Sequence, residues 1–167
     1  MNVDFINPFV EATVAVFGTM LGTSVRRVGL SLNDRIKPDY DITGIIGLSG
    51  RASGDVVISF EKNVAISATD ALLNEQPATI DDSVIDCVGE LTNMIAGHAK
   101  AALERFDMRL ALPTVITGRD HAIRFVSRVK PISIPFECVW GRFSIQVALS
   151  EELELSPLQQ AAAKAFA

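Results

Sequence analysis

The hydrophobic and polar positions of this chain fall into helical and strand-like segments. An apolar run follows Asn7-Pro8 and extends through Phe9 to about Leu21. This run predicts a helix, because asparagine is a common capping residue and proline is accepted in the first helical turn. The segment is apolar on nearly every side, and a helix of that kind is normally buried. We therefore expect the first helix to lie inside the protein.

Strand-like segments follow this helix and occur again after two further helices. The first group is Ser24 to Leu32, Ile42 to Leu48 and Ala52 to Phe60, the last two predicted to form an antiparallel hairpin. A short helix from Lys62-Asn63 to about Asn74 and a long helix from about Asp81 to Glu104 come next. The second group is about Met108 to Ile116, about Val129 to Phe136 and Phe143 to Leu149. Between the first two of these strands, the segment Gly118 to Arg128 is an exposed connection or a further strand.

The order of elements indicates a duplication. A helix followed by three strands occurs near the start of the chain and occurs again from the long helix onward. The segment from Glu11 to Gly18 matches the segment from Glu90 to Gly97 at its glutamate, threonine and glycine positions. We predict an α+β fold in which tandem α-β-β-β half-repeats form a mainly antiparallel sheet packed with helices. Residues 1–150 form a single predicted domain, and residues 151–167 form a tail in which Ser156-Pro157 favours a terminal helix.

The long helix has two contrasting faces. At about 100° per residue, one narrow apolar stripe contains Val84, Val88, Leu91, Ile95 and Ala102, and we expect it to face the core. The opposite side carries Asp86, Glu90, Asn93, Gly97 and Lys100, with Gly89, Ala96 and Ala101 close by. Each helical glycine costs about 1 kcal/mol relative to alanine, so the glycines suggest the close approach of another backbone.

Composition and charge narrow the classes of partner. The chain has 167 residues, 49% of them hydrophobic, with a formal net charge of −5. This acidic balance argues against nucleic-acid binding, which requires clustered lysine and arginine. Cys87 and Cys138 form no disulfide or metal-ligand pattern, which favours a reducing compartment. Because we find neither a secretory signal nor an apolar stretch long enough to span a bilayer, we expect a cytoplasmic protein without membrane insertion.

The run from Asp86 to Gly97, which reads DCVGELTNMIAG, resembles the signature helix of the CheX/CheC chemotaxis phosphatase family. The order of helices and strands is also similar to that family over about residues 3 to 150. Valine occupies position 14, where the second copy has Asn93, so the chain has a single intact motif. Its length and single motif resemble CheX more than CheC. The resemblance implies a CheC-like fold and a homodimer.

The resemblance also implies a reaction and the residues that serve it. In that family, the acid and the amide of this helix enter the active site of a phosphorylated CheY-like response regulator and stimulate hydrolysis of its aspartyl phosphate. Carried over to this chain, the catalytic residues are Glu90 and Asn93. Asn93 would orient the attacking water, and Glu90 would pair with a lysine of the regulator, with a role as proton acceptor left open. The Mg²⁺ would belong to the regulator, because we find no matching cluster of oxygen ligands, cofactor site or metal site in this chain.

Two other classes of function stay open at this point. The same fold could serve as a docking module that binds a regulator or a motor protein through the glycine-flanked helix, without chemistry. A small-molecule sensor domain would require an internal polar pocket, and nothing in the sequence indicates one. Without the resemblance, the spacing of Glu90 and Asn93 predicts only a protein-binding helix.

Overall fold

The computed structural model describes residues 5–32, 40–119, 123 and 129–151. The described part contains three α-helices: α1 (Ile6–Met20), α2 (Lys62–Leu73) and α3 (Asp82–Ala102), with a short 3₁₀ helix at Glu104–Phe106. Its strands are β1 (Arg26–Arg27), β2 (Ser31–Leu32), β3 (Ile42–Ser49), β4 (Ala52–Phe60), β5 (Arg109–Leu110), β6 (Thr114–Thr117), β7 (Ile132–Cys138) and β8 (Gly141–Glu151). Most of the predicted connection 118–128 and of the predicted tail 151–167 lies outside the described residues, as does the predicted terminal helix.

The strands form one antiparallel sheet with an internal symmetry. The order is β1-β7-β8-β4-β3-β5, with β2 beside β1 along the edge of β7 and β6 beside β5 along the edge of β3. The first half of the chain contributes α1 and β1 to β4, and the second half contributes α3 and β5 to β8. β4 pairs with β8 at the centre, and the short strands of each half pair with the other half. The predicted α+β fold with tandem half-repeats is confirmed.

The edge strands are shorter than predicted because proline interrupts their pairing. The segments from Ser24 to Leu32 and from Met108 to Ile116 each form two short strands instead of one. Pro135 in β7 accepts a hydrogen bond from the Val28 N–H at 2.9 Å, yet it has no N–H with which to return one. Pro113 lies between β5 and β6 and likewise has no N–H to donate to a ladder.

The first helix differs from the prediction in its start and in its burial. It begins at Ile6, and the preceding Phe5 provides no side-chain cap, so Asn7 lies within the helix. Phe5 and Ile6 are buried, and their burial extends the helix before the proline. The prediction of a fully buried helix is wrong, because one side of α1 is open to solvent and Val14 on it is 48% exposed.

Stacked aromatic rings connect α1 to the centre of the sheet. The ring of Phe143 in β8 stacks on Phe17 of α1 at 4.6 Å between centroids and on Phe136 of β7 at 5.2 Å. Phe60 of β4 stacks on the same ring at 5.5 Å. Burying each such side chain contributes about 1.5–3 kcal/mol. This cluster fixes α1 on the sheet, and α1 in turn packs against α3.

The long helix α3 begins close to its predicted position. Asp81 is its N-cap, and the Asp81 carboxylate accepts a hydrogen bond from the Val84 N–H at 3.2 Å. The helix packs on α1 and α2 and on the sheet at β3, β4, β5 and β6. Among the described residues, no helix has the length and apolar character needed to cross a membrane.

Candidate functional site

The apolar stripe of α3 faces the core almost as predicted. Val84, Val88, Leu91 and Ile95 are fully buried. Ala102, predicted to lie on the same stripe, is exposed. The helix ends at this residue, and the next residue, Leu103, turns into the core in its place.

The opposite side of α3 forms one wall of an open groove. Glu90 is exposed and Asn93 is half-buried, and the two side chains lie one turn apart on this wall. The connection between β5 and β6 and the start of β6 form the other wall. The groove encloses about 480 Å³ and is lined by Ile85, Asp86, Gly89, Glu90, Asn93, Leu112, Pro113 and Val115. The two predicted site residues are therefore together and accessible in the described structure.

A glycine in β3 allows α3 to lie very close to the sheet. A Cβ atom added to Gly44 would lie 2.0 Å from the Thr92 Oγ1 and 3.0 Å from the Thr92 Cβ. Thr92 is fully buried, and its hydroxyl donates to the Val88 carbonyl at 2.7 Å. Thr92 immediately precedes Asn93, so this contact sets the position of the amide relative to the sheet. Gly44 was not among the residues predicted from the sequence, although an isolated glycine within a strand pattern is a signal of close approach.

The glycines of α3 are not required by close contacts within the described chain. A Cβ atom added to Gly89 would lie 3.6 Å from the Val115 Cγ2, and one added to Gly97 would lie 3.9 Å from the Leu110 Cδ1. Both distances are ordinary van der Waals contacts. The suggestion that another backbone approaches these glycines finds no support among the described residues. Gly89 instead lies in the groove, where the absence of a side chain leaves space between its walls.

Cys87 lies next to the site but is not part of its chemistry. Burial raises the pKa of the Cys87 thiol, a hydrogen bond to the Thr69 side chain lowers it, and the Glu90 charge raises it. The thiol therefore stays protonated at neutral pH and is a poor nucleophile. Cys87 is 1% exposed, which makes it a packing residue beside the apolar stripe.

Acidic side chains dominate the polar wall of the groove. Asp86 and Glu90 are both exposed and lie one turn apart on the same face of α3. Within the part of the chain that the structure describes, no group of three or more histidine, cysteine, aspartate or glutamate side chains is arranged to hold a metal ion. The groove therefore offers negative charge and an amide to a partner.

The first half of the chain has a counterpart of this helix face without the amide. Glu11 and Val14 of α1 are both exposed, at the positions that match Glu90 and Asn93 in the repeat. Valine has no hydrogen-bonding group in its side chain. Of the two matching helices, α3 alone presents both an acid and an amide.

These features define an α+β domain in which an antiparallel sheet and two matching helices display one acid–amide pair in an open groove. The model of a family described as chemotaxis phosphatase CheX matches residues 42–137, which is more than half of the chain. The chain belongs to the CheX family. The resemblance predicted from the Asp86 to Gly97 run is thereby confirmed.

Similar proteins agree with this assignment. The CheY-P phosphatase CheX of Thermotoga maritima is 24% identical over 127 residues, which cover 74% of this chain and 82% of the relative. The crystal structure of the chemotaxis protein CheX from Vibrio vulnificus is 31% identical and has a TM-score of 0.81, covering 88% of this chain and 99% of that one. A CheX–CheY–BeF3–Mg²⁺ complex from Borrelia burgdorferi has the same fold, with 24% identity, a TM-score of 0.76 and coverage of 90% of this chain and 100% of that one.

Proposed function

We propose that this protein is a phosphatase that stimulates hydrolysis of the aspartyl phosphate of a CheY-like response regulator, and so terminates a chemotaxis or other two-component signal. The observation that carries the proposal is that Glu90 and Asn93 lie together in an open groove of a CheX-family protein. An exposed helix face allows both side chains to enter the active site of another protein. A buried pair could not do so.

Asn93 has the chemistry needed to orient the attacking water. Phosphoryl transfer depends mainly on positioning and on electrostatic stabilisation, so a helper protein can act by ordering one water molecule. The carboxamide offers an acceptor oxygen and donor hydrogens, and it does not take up a proton at neutral pH. Because Asn93 is half-buried, its side chain has fewer accessible rotamers than one on an open surface. This reduces the entropy lost when the amide aligns the water.

Glu90 is assigned first to docking. It is an acidic side chain exposed on the same wall of the groove, which suits it to pair with a lysine in the regulator's site. A carboxylate that becomes desolvated in the complex also gains basicity, so the same residue can assist proton transfer from the water. Docking and proton transfer are both compatible with its position beside Asn93.

The metal ion of the reaction is assigned to the regulator. The complex of the Borrelia burgdorferi CheX is one with CheY, BeF3 and Mg²⁺. We propose that the CheY-like partner of this chain likewise brings Mg²⁺ with its own acidic residues, and that this chain contributes no metal ligand or cofactor. Because its substrate is a cytoplasmic signalling protein, we also propose that this protein acts in the cytoplasm.

Replacing the amide tests the proposal directly. We expect Asn93→Ala to reduce the rate of stimulated dephosphorylation by about 10²-fold, because without the amide the attacking water is no longer aligned with phosphorus. The measurement is the lifetime of purified CheY-like regulators, phosphorylated with acetyl phosphate, in the presence of each variant. Circular dichroism should show unchanged folding.

Asn63→Ala is the matched control, since Asn63 is an exposed asparagine in α2, outside the groove. It should retain the activity of the wild type. If wild-type protein binds a regulator but leaves its phosphoryl lifetime unchanged, the protein is a docking module, and the phosphatase assignment is wrong.

A further inference from the structure

The groove beside Glu90 and Asn93 has an apolar rim that the proposed reaction does not use. Leu112 is 90% exposed, the highest value among the large apolar side chains that the structure describes. It lies in the connection between β5 and β6, on the wall opposite α3. An isolated exposed leucine needs no explanation, but one on the rim of a polar active groove faces whatever enters that groove.

The connection that carries Leu112 is braced on both sides. β5 and β6 both pair with β3, so the connection is attached to the sheet before and after Leu112. The Ala111 N–H donates to the Gly47 carbonyl at 2.9 Å, and the following Pro113 has a fixed φ angle. A backbone held in this way loses little conformational entropy when its side chain becomes buried in a complex.

Leu112 and the acid–amide pair must meet the same partner. They line one groove of about 480 Å³, so a regulator surface that receives Asn93 also approaches the opposite wall. The groove is therefore asymmetric, with acid and amide groups on the helix side and apolar groups on the β5–β6 side. A partner that fits it presents a basic group next to an apolar surface.

We propose that Leu112 is an apolar anchor for the phosphorylated CheY-like regulator, packing against an apolar side chain beside its phosphorylation site and thereby strengthening the complex in which Asn93 acts. This inference rests on the proposed function, because the partner is the substrate of the phosphatase reaction. Leu112 touches no reacting atom, so it is a binding residue and not a catalytic one. Its contribution belongs to binding and not to the chemical step.

The first half of the chain offers an internal control. Leu30 lies in the connection between β1 and β2, which corresponds to the β5–β6 connection in the repeat, and it is 53% exposed. The matching helix α1 has Val14 where α3 has the amide. Leu30 is thus an exposed leucine in the equivalent connection of the half of the chain whose helix lacks the amide.

The experiment separates binding from catalysis. We expect Leu112→Ser to raise the KM for CheY-like regulators phosphorylated with acetyl phosphate about tenfold and to leave kcat unchanged. Burial of a leucine side chain contributes a free energy that corresponds to at least a tenfold change in affinity. Binding of the same regulators in their beryllofluoride form should weaken by the same factor. Leu112→Met should retain the wild-type KM, since methionine restores a similar apolar volume. Leu30→Ser should leave both constants unchanged.

The possible results of these measurements bear separately on the anchor and on the phosphatase assignment. An unchanged KM and affinity in Leu112→Ser would overturn the anchor and leave the phosphatase assignment intact. An equal loss in Leu30→Ser would also overturn it, because the effect would then not depend on the groove. If wild-type protein binds the beryllofluoride form but does not accelerate hydrolysis of the phosphorylated form, the phosphatase assignment fails. The ratio of the affinities of wild type and Leu112→Ser for the beryllofluoride form still tests the role of Leu112. If wild-type protein binds no regulator in the panel, both proposals fail.

Discussion

The contact between Gly44 and Thr92 links the packing of the core to the position of the site. The helix that carries Asn93 lies so close to β3 that no side chain fits at Gly44, and Thr92 fills the space a Cβ atom would need. Thr92 is fully buried, and its hydroxyl is engaged with the Val88 carbonyl. Because protein interiors are closely packed, a single added carbon must displace the helix or the strand. Displacing the helix would move Asn93.

Gly44→Ala should therefore affect both stability and activity. We expect the free energy of unfolding to fall by about 1–3 kcal/mol, the usual range for overpacking a core, and the stimulated dephosphorylation rate to fall with it. Denaturant unfolding and the phosphoryl-lifetime assay provide the two measurements. The double variant Gly44→Ala, Thr92→Ala removes the threonine hydroxyl and methyl and should recover part of both losses. Strict additivity of the two single changes would show that the contact does not couple them.

At the level of residues, the sequence was informative about what lies on one helix. The spacing of Glu90 and Asn93 on a polar face, opposite a buried stripe, could be read from helical periodicity alone. Gly44 and Leu112 could not be found in this way, because their importance depends on which strands lie beside α3. Their partners in space are far away in the sequence, and periodicity contains no information on such pairings.

The elements around the start of α2 depend on one carboxylate. Asp41, just before β3, accepts a hydrogen bond from the Lys62 N–H at 2.9 Å and one from the Arg119 Nε at 2.6 Å. The first bond satisfies an amide at the beginning of α2, and the second connects the end of β6 to the same point. The bond from Arg119 is the main cause that holds the pKa of Asp41 below its usual 3.8, with the Lys62 N–H also lowering it and partial burial opposing.

Removing this carboxylate should destabilise the protein in a pH-dependent way. We expect Asp41→Ala to lower the free energy of unfolding by about 1 kcal/mol at neutral pH, mostly through the lost helix-end bond, because Arg119 is largely exposed and its ion pair is screened. Asp41→Asn keeps an acceptor oxygen and should lose less. Urea unfolding of wild type and both variants gives the values.

The sign of the pH dependence follows from the lowered pKa. The folded state holds the Asp41 proton less tightly than the unfolded state, so the carboxylate stabilises the protein above its ordinary pKa of 3.8. That contribution is lost as the pH falls through the lower, folded-state pKa. The difference between wild type and Asp41→Ala should therefore shrink under strongly acidic conditions. A difference that grows as the pH falls would contradict the assignment.

The boundaries of elements were predictable where one periodicity dominated. α3 and the hairpin of β3 and β4 lie within a few residues of their predicted limits, because each has a long, regular pattern. The edge strands were predicted as continuous, since the effect of Pro135 on β1 and β2 depends on a pairing across the chain. The exposure of one face of α1 was also missed, because an apolar surface in the sequence does not reveal whether anything covers it.

For the whole molecule, the repeated halves form a sheet with approximate twofold symmetry. The resemblance between Glu11–Gly18 and Glu90–Gly97 gave a local sign of this symmetry, and the order of strands confirms equivalent roles for α1 and α3. The exchange of short edge strands between the halves could not be predicted, because nothing in the local pattern indicates which long strand a two-residue strand accompanies. The limits of the domain at residue 150 stay a prediction.

The oligomeric state is testable for the molecule as a whole. The family resemblance implies a homodimer, and a hydrophobic content of 49% is compatible with an apolar interface. We expect sedimentation equilibrium to give a mass of twice the 18.0 kDa of the chain. A mass of one chain throughout the accessible concentration range would contradict the expectation, and the phosphoryl-lifetime assay at the same concentrations would then show whether the monomer is active.

The central pairing of β4 with β8 has a consequence for how the protein is made. This ladder joins residues that are far apart in the sequence, such as Phe60 and Phe143. Proteins dominated by such distant contacts fold slowly, on the order of milliseconds to seconds. A nascent chain that has not yet released β8 from the ribosome presents β4 with an unpaired, apolar edge, which is prone to aggregate. Synthesis of β8 therefore completes the central ladder of the sheet, and the yield of soluble protein depends on how long that edge stays open.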